Sequence, residues 1–540
     1  MGARWFLLLL ALALLPGALR AQKLGPWVPD LGNGTYKNPV LYADYSDPDV
    51  VRVGSDYYLT SSSFNSAPGL QILHSRDLVN WTIIGAVFGQ QLPAARYALP
   101  QHGNGVWAPA IRYHRGQFYI YYPDPDLGLF VTRATNPAGP WSPPMCLKEA
   151  KGWIDPCPLW DEDGRAYLVH AFAGSRAGFK SVLAVSRMSP DGLQLLGDEV
   201  LVFDGHARHP TIEGPKFYKR HGYYYIFAPG GGVSTGWQTV LRAKNVFGPY
   251  EDKIVLAQGK SSVNGPHQGT WVDTPDGRQD WFLHFQDQGA YGRVVHLQPM
   301  TWKNDWPVIG SDADGDGVGE PVLTYCKPAV PGRPQPLAIP TTSDEFTASA
   351  LGLQWQWHAN PQPEWAFPTG PLGFLRLNAV PLPADYHNLW QVPNLLLQKL
   401  PAAEFTVTTK LTFTSRFEGE RLGLLIMGLD YAALTLTYQG EKLQLAQAVC
   451  KNADQLGPET ASAPAADLPL GQPVYLRVAV QAGAKCQFSY SLDGRSFRPV
   501  GTEFAAREGK WIGSKVGLFC TRPGKTNDGG TADIDWFRVE

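Results

Sequence analysis

At 540 residues the chain exceeds the length at which a single hydrophobic core stops growing, so at least two folded units are expected. Its 46 basic and 48 acidic residues leave a net charge of -2 with no basic run, which removes the electrostatic case for nucleic acid or an anionic membrane as partner and favours a neutral ligand. The 18 Trp, 23 Tyr and 24 Phe beside 17% charged residues suit packed β-sheets and equally suit the faces of sugars.

Residues 1–21 read as a signal peptide, because Arg4 precedes the apolar run Phe6 to Leu15 and the stretch closes on Leu19-Arg20-Ala21. That run is too short to span a bilayer, and no later segment is long and apolar enough to do so. An exported protein, periplasmic or secreted, is expected. The six cysteines (Cys146, Cys157, Cys326, Cys450, Cys486, Cys520) show neither CxxC pairing nor framework spacing. Buried free thiols, with at most one or two bridges, are the expectation.

Residues 22–326 carry alternating, aromatic-rich runs punctuated by Gly, Asp and Asn turns, with no sustained helical period, so an all-β domain is predicted. Five segments share one grammar: Asp47 to Tyr58, Ala108 to Tyr119, Asp155 to Tyr167, Glu213 to Tyr225 and His267 to Phe282. Each opens on a polar or small residue, reaches a Gly-containing turn and returns on an aromatic strand, and a second hairpin follows. Four strands per unit, repeated five times, predict a five-bladed β-propeller, in which radial repetition protects the sheet edges. The first strand of each blade lines the central channel, so Asp47, Asp155, Glu213 and His267 are expected to converge on one pocket. A single acidic residue at a strand start is an ordinary turn residue. Three carboxylates at equivalent positions of separate repeats are costly to cluster unless function uses them.

The segment DADGDGVGE (Asp312 to Glu320) has the look of a calcium loop but lacks the spacing of an EF-hand, and is read as structural. Residues 327–340 (KPAVPGRPQPLAIP) resist both helix and ladder and mark a Pro-rich linker. Beyond it, residues 341–540 show further strands separated by turn signals, and a β-sandwich of jelly-roll type is predicted. Its last strand, from Ala532 to Phe537, alternates an acidic side that would face a cation or water.

Four motifs give these residues a familiar order: YSDPDVVRVGSDYYLTSSSF (Tyr45 to Phe64), GVWAPAI (Gly105 to Ile111), WIDPCPLWDEDGRAYL (Trp153 to Leu168) and EGPKFYKRHGYYYIF (Glu213 to Phe227). In order and spacing they resemble glycoside hydrolase family 43, and SDEF (Ser343 to Phe346) with LQWQWHANP (Leu353 to Pro361) resembles the concanavalin-like domain of its β-xylosidase branch. The resemblance implies that Asp47 is the general base, Glu213 the general acid and Asp155 the carboxylate that orients the acid and adjusts its pKa. It further implies that Arg293 contacts the sugar, that Trp107 and Phe64 form apolar walls, and that His267 helps hold a central metal or water cluster, where relatives often carry calcium. Arg293 as a plain counter-ion, and Phe64, Trp107 and His267 as core residues, are the alternative readings.

The implied activity is inverting exo-hydrolysis of terminal pentosyl units from plant cell-wall glycans, α-L-arabinofuranosyl favoured and β-D-xylosyl next, with no cofactor needed for the chemistry. Inversion requires a protonated carboxyl and an ionised carboxylate, so Glu213 is expected to have a raised pKa while Asp47 stays ionised. The sandwich is expected to close one side of the pocket through the loop Thr521 to Thr531. A non-catalytic carbohydrate-binding propeller and a retaining fructan-cleaving propeller enzyme are the rival readings.

Overall fold

The computed structural model describes residues 24–540, so the signal peptide expected over residues 1–21 lies outside the described residues. Five four-stranded antiparallel sheets are each built from consecutive strands. Blade 1 runs from Asp49–Val53 to Thr82–Phe88, blade 2 from Ala110–His114 to Met145–Glu149, and blade 3 from Trp153–Trp160 to Leu195–Asp204. Blade 4 runs from Lys216–Arg220 to Glu251–Leu256, and blade 5 from His267–Asp273 to Trp306–Ile309. The first strand of blade 1 packs against the first strands of blades 2 and 5, which places these strands around the axis.

The aromatic strand runs follow from this geometry. Successive side chains of a strand point to opposite faces, and both faces of a blade meet a neighbour. In the strand Gln117–Asp124, Phe118, Ile120 and Tyr122 join Leu70 and Ile72 of blade 1 in one core, while Tyr119 and Tyr121 join Trp153 and Leu168 of blade 3 in another. Similar cores fill the other three gaps between blades.

The ring closes without a shared blade. Thr35–Lys37 pairs antiparallel with Thr324–Cys326, and Leu41 and Val295 exchange backbone hydrogen bonds. The Asn38 side chain donates to Leu297 O and Val322 O, each at 2.8 Å, and accepts from Leu297 N at 2.8 Å.

Residues 327–340 form no regular element; Lys327 bonds Asp30 and Asp77, and Ala338 N donates to Asn80 Oδ1 at 2.9 Å, which lays the linker along blade 1. After it come two facing sheets around one large apolar core, with a second apolar cluster around Leu389, Trp390 and Phe519. The acidic side of the last strand faces neither a cation cage nor bare water: Asp533 is paired in bidentate fashion with Arg376, and Asp535 with Lys410. The sandwich and propeller are joined by backbone bonds between Ala67 and Trp357, by reciprocal bonds between Asn360 and Gln91, and by His102 stacked on Trp390 at 3.5 Å. All six cysteines are free thiols; Cys146 and Cys326 are exposed, which corrects the expectation that all would be buried.

Candidate active site

Asp47, Phe64, Trp107, Asp155, Glu213 and Arg293 line one pocket. The carboxylates do not sit on regular ladder. Asp47 precedes the first strand of blade 1, and Glu213 precedes that of blade 4, while Asp155 lies where the blade 3 ladder slips between Ile154 and Cys157. Asp47 and Asp155 both take left-handed backbone, φ 55° and 56°. Each such non-glycine residue costs on the order of 1–3 kcal/mol, held in place by the surrounding structure. The bend turns each carboxylate out of the pleat and into the channel.

Each carboxyl has its own environment. Asp47 Oδ1 accepts from Arg293 Nη1 at 2.9 Å and Oδ2 from Ser62 Oγ at 2.5 Å. Two donors, one of them a guanidinium, are thereby aimed at its carboxylate. Asp155 Oδ2 accepts from the Gly214 amide at 2.7 Å, so it grips the peptide that follows Glu213. Burial raises the Asp155 pKa and Asp47 adds to the effect, while the Gly214 bond, Lys216 and Arg293 pull the other way. Glu213 is anchored by its own amide to Pro229 O at 3.1 Å, and 26% of its side chain is open. Burial first, then the charges of Asp155 and Asp47, push its pKa up to about 8, against Arg293 and Lys180.

Beneath the pocket, a second polar layer cross-links the blades. Asp49 accepts from Ile111 N at 2.7 Å and from Arg112 Nη1 at 2.6 Å, and Arg112 Nη2 donates to Cys157 Sγ at 2.9 Å. The fully buried Lys216 lies 3.7 Å from Asp49 and donates to Pro109 O at 2.8 Å. Four blades are thereby tied next to the pocket, which limits their relative motion.

Arg293 is the counter-ion of Asp47 and also lines the pocket. Phe64 is 3% exposed and also adopts a left-handed backbone (φ 49°), which aims it into the pocket rather than along a strand. Trp107 is fixed by its indole donating to Gly103 O at 2.9 Å, with Arg176 over its ring at 5.3 Å. His267 opens blade 5 and reaches within 3.7 Å of Glu213, without lining the pocket. Burial, then Arg293, lowers its pKa to about 3, so the ring is neutral and this contact is not an ion pair.

Both ring nitrogens of His267 lack a protein partner. Calcium takes six to eight oxygen ligands, and among the described residues no group of three donor side chains forms around this imidazole. No step of the chemistry is routed through a metal. The one three-carboxylate group among the described residues is Asp312, Asp314 and Asp316, in the exposed loop outside the ring.

Among the pocket residues that escaped the sequence reading are Gln268 and Trp511. Gln268, left-handed at φ 35°, presents an Nε2 without a protein partner. Its position beside His267 was the available signal. Trp511 comes from the sandwich and faces Trp107 at 6.4 Å and 64°. Residues 508–514, not the expected loop Thr521 to Thr531, therefore bring the second domain to the pocket; the latter is held within the sandwich, with Gly530 N donating to Glu420 Oε1 at 2.7 Å. A lone Trp in a Gly-rich turn gives no sequence signal of where it docks.

Residues 36–307 match the model for glycosyl hydrolases family 43, and residues 343–540 match that for the β-xylosidase C-terminal concanavalin A-like domain. A protein of Xylanibacter ruminicola, provisionally named a β-xylosidase, is 42% identical over 500 residues, covering 91% of this chain and 87% of that protein. A β-xylosidase of Formosa agariphila is 33% identical over 566 residues, covering 96% and 92%. Among solved structures, a xylan β-1,4-xylosidase from Bacillus halodurans superposes with a TM-score of 0.81 at 26% identity, covering 93% of this chain and 99% of that one.

Proposed function

Because the chain belongs to glycosyl hydrolase family 43 and is a glycosidase of its β-xylosidase and arabinofuranosidase group, we propose that it releases terminal pentosyl units from plant cell-wall glycans with inversion, Asp47 acting as base and Glu213 as acid. The observation that carries this reading is the inequality of the two carboxyls. Asp47 is paired with a guanidinium, whereas Glu213 has, among the described residues, no Lys or Arg within ion-pair reach and holds its proton near neutrality. Inverting hydrolysis needs that pair of states.

In the forward step Asp47 takes a proton from water as the water oxygen attacks the anomeric carbon. Glu213 gives its proton to the departing oxygen as the glycosidic bond breaks. Asp155, held on the Gly214 amide, keeps Glu213 aimed and protonated. Exchange with solvent then returns the proton from Asp47 to Glu213. Arg293, already bonded to Asp47, is the charged group offered to sugar hydroxyls, and Phe64, Trp107 and Trp511 are the apolar walls. A wall drawn from a second domain suits removal of end groups rather than cutting within a chain.

The two sugars change order relative to the sequence expectation: β-D-xylosyl is placed first, because relatives at 42% and 33% identity carry the β-xylosidase name, while a non-reducing end α-L-arabinofuranosidase of Bacteroides ovatus is 28% identical. Export is supported by the signal-peptide pattern of residues 1–21, with a mature N-terminus at Gln22.

Following fresh product by NMR tests the reading. A β-D-xyloside should yield α-D-xylose first, and an α-L-arabinofuranoside the β-anomer. Initial retention would overturn inversion, and inertness towards a panel of aryl pentosides would overturn the substrate class.

A further inference from the structure

Asp44 lies three residues before Asp47 and is 5% exposed. Its carboxylate joins three segments. Oδ1 accepts from Ser46 Oγ and from the Arg293 amide, both at 2.9 Å, and Oδ2 accepts from the Gly513 amide at 3.1 Å. One oxygen therefore holds the strand of the base and the residue paired to it, while the other holds the sandwich loop that carries Trp511.

The surrounding backbone is built for this contact. Gly292, at φ 75°, leaves no room for a side chain: a Cβ there would lie 2.6 Å from Asp44 Cγ. A Cβ on Gly513 would lie 2.6 Å from Gly292 N. Two glycines thus let two chains close on one carboxylate. The loop is pinned on its far side by Ser514 N donating to Ala290 O at 2.7 Å, and Lys515 Nζ donates to Ser66 Oγ at 2.6 Å.

We infer that Asp44 is a positioning residue that fixes the sandwich loop bearing Trp511 in register with Arg293 and Asp47, so that the pocket wall supplied by the second domain and the alignment of the base share one anchor. The inference deepens the proposed hydrolysis and rests on it. Asp44 touches no reacting atom. Its effect passes through Gly513 to Trp511 and through the Arg293 amide to the Asp47 ion pair.

Asp44→Asn separates the two links, because the amide oxygen still accepts from Ser46 and Arg293 while the Nδ2 group opposes the Gly513 N–H, donor against donor. In the full chain, KM for xylobiose should rise about tenfold, the scale of a lost charge-assisted hydrogen bond, with kcat on an aryl xyloside held within about threefold. In a Trp511→Ala background the same substitution should add no further rise in KM, since both act through one loop. Asp44→Ala, which also frees the Arg293 amide, should lower kcat as well.

Independently of turnover, hydrogen exchange of the peptide spanning residues 508–514 should accelerate in Asp44→Asn, with no change in peptides from blade 3. Additive KM effects in the double variant, or unchanged exchange in that peptide, would overturn the inference. A wild-type protein inert towards every pentoside would instead sink the functional reading, and the exchange measurement would still decide the structural link.

Discussion

Arg293 and Asp47, 246 positions apart in sequence, meet through a 2.9 Å bond between Nη1 and Oδ1, each side chain 9% exposed. A buried carboxylate stripped of its partner is costly. Arg293→Ala should therefore destabilise the protein by about 3 kcal/mol and lower kcat/KM on aryl pentosides. Arg293→Lys should restore charge without the planar fork, recovering stability better than turnover. Denaturation curves and steady-state kinetics of both variants check this; unchanged stability and turnover in Arg293→Ala would remove the ion pair from the mechanism.

Asp155 acts on Glu213 through charge and through the Gly214 amide. Asp155→Asn keeps an acceptor for that amide and removes the charge. With one fewer negative neighbour, Glu213 gives up its proton more readily, so the alkaline limb of kcat/KM should shift to lower pH. A limb that stays in place would mean burial alone sets the acid.

Glu213→Gln removes the proposed proton donor. Turnover of substrates with poor leaving groups should fall by about 10²–10⁴-fold, while aryl pentosides whose leaving groups need no proton should lose far less. Stability carries a separate signature. A carboxyl raised to about 8 in the folded protein stabilises only where it is protonated in both states, below the ordinary range near 4.5, and that contribution is lost as pH rises through 8. The variant escapes the loss, so its Tm should exceed that of the wild type at pH 9 and match it at pH 4. Thermal scans at the two pH values decide the point.

The sandwich completes the pocket rather than hanging from it. Removing residues 341–540 would expose the Ala67 backbone pairing, the Gln91 bonds to Asn360 and the ring of His102. The truncated chain should fail to give a soluble, cooperatively unfolding propeller. Soluble protein with full specific activity would show the second domain to be dispensable.

Local pattern determined much of this protein. The five-fold grammar, read from alternation and turn residues, gave the propeller and brought Asp47, Asp155 and Glu213 to its axis, because strand period and repeat length are properties of short segments. The aromatic runs were legible for the same reason. What local pattern does not encode is which surfaces meet at long range. Trp511 reaches the pocket because Gly513 and Gly292 allow two backbones to approach across Asp44, a fact of packing that no spacing announces. Tertiary structure likewise paired the acidic last strand with Arg376 and Lys410, and set Glu213 apart from Asp47 by giving a guanidinium to only one of them. Protonation depends on burial and on charges brought together from separate blades, so the chemistry of the site was decided only when the ring closed.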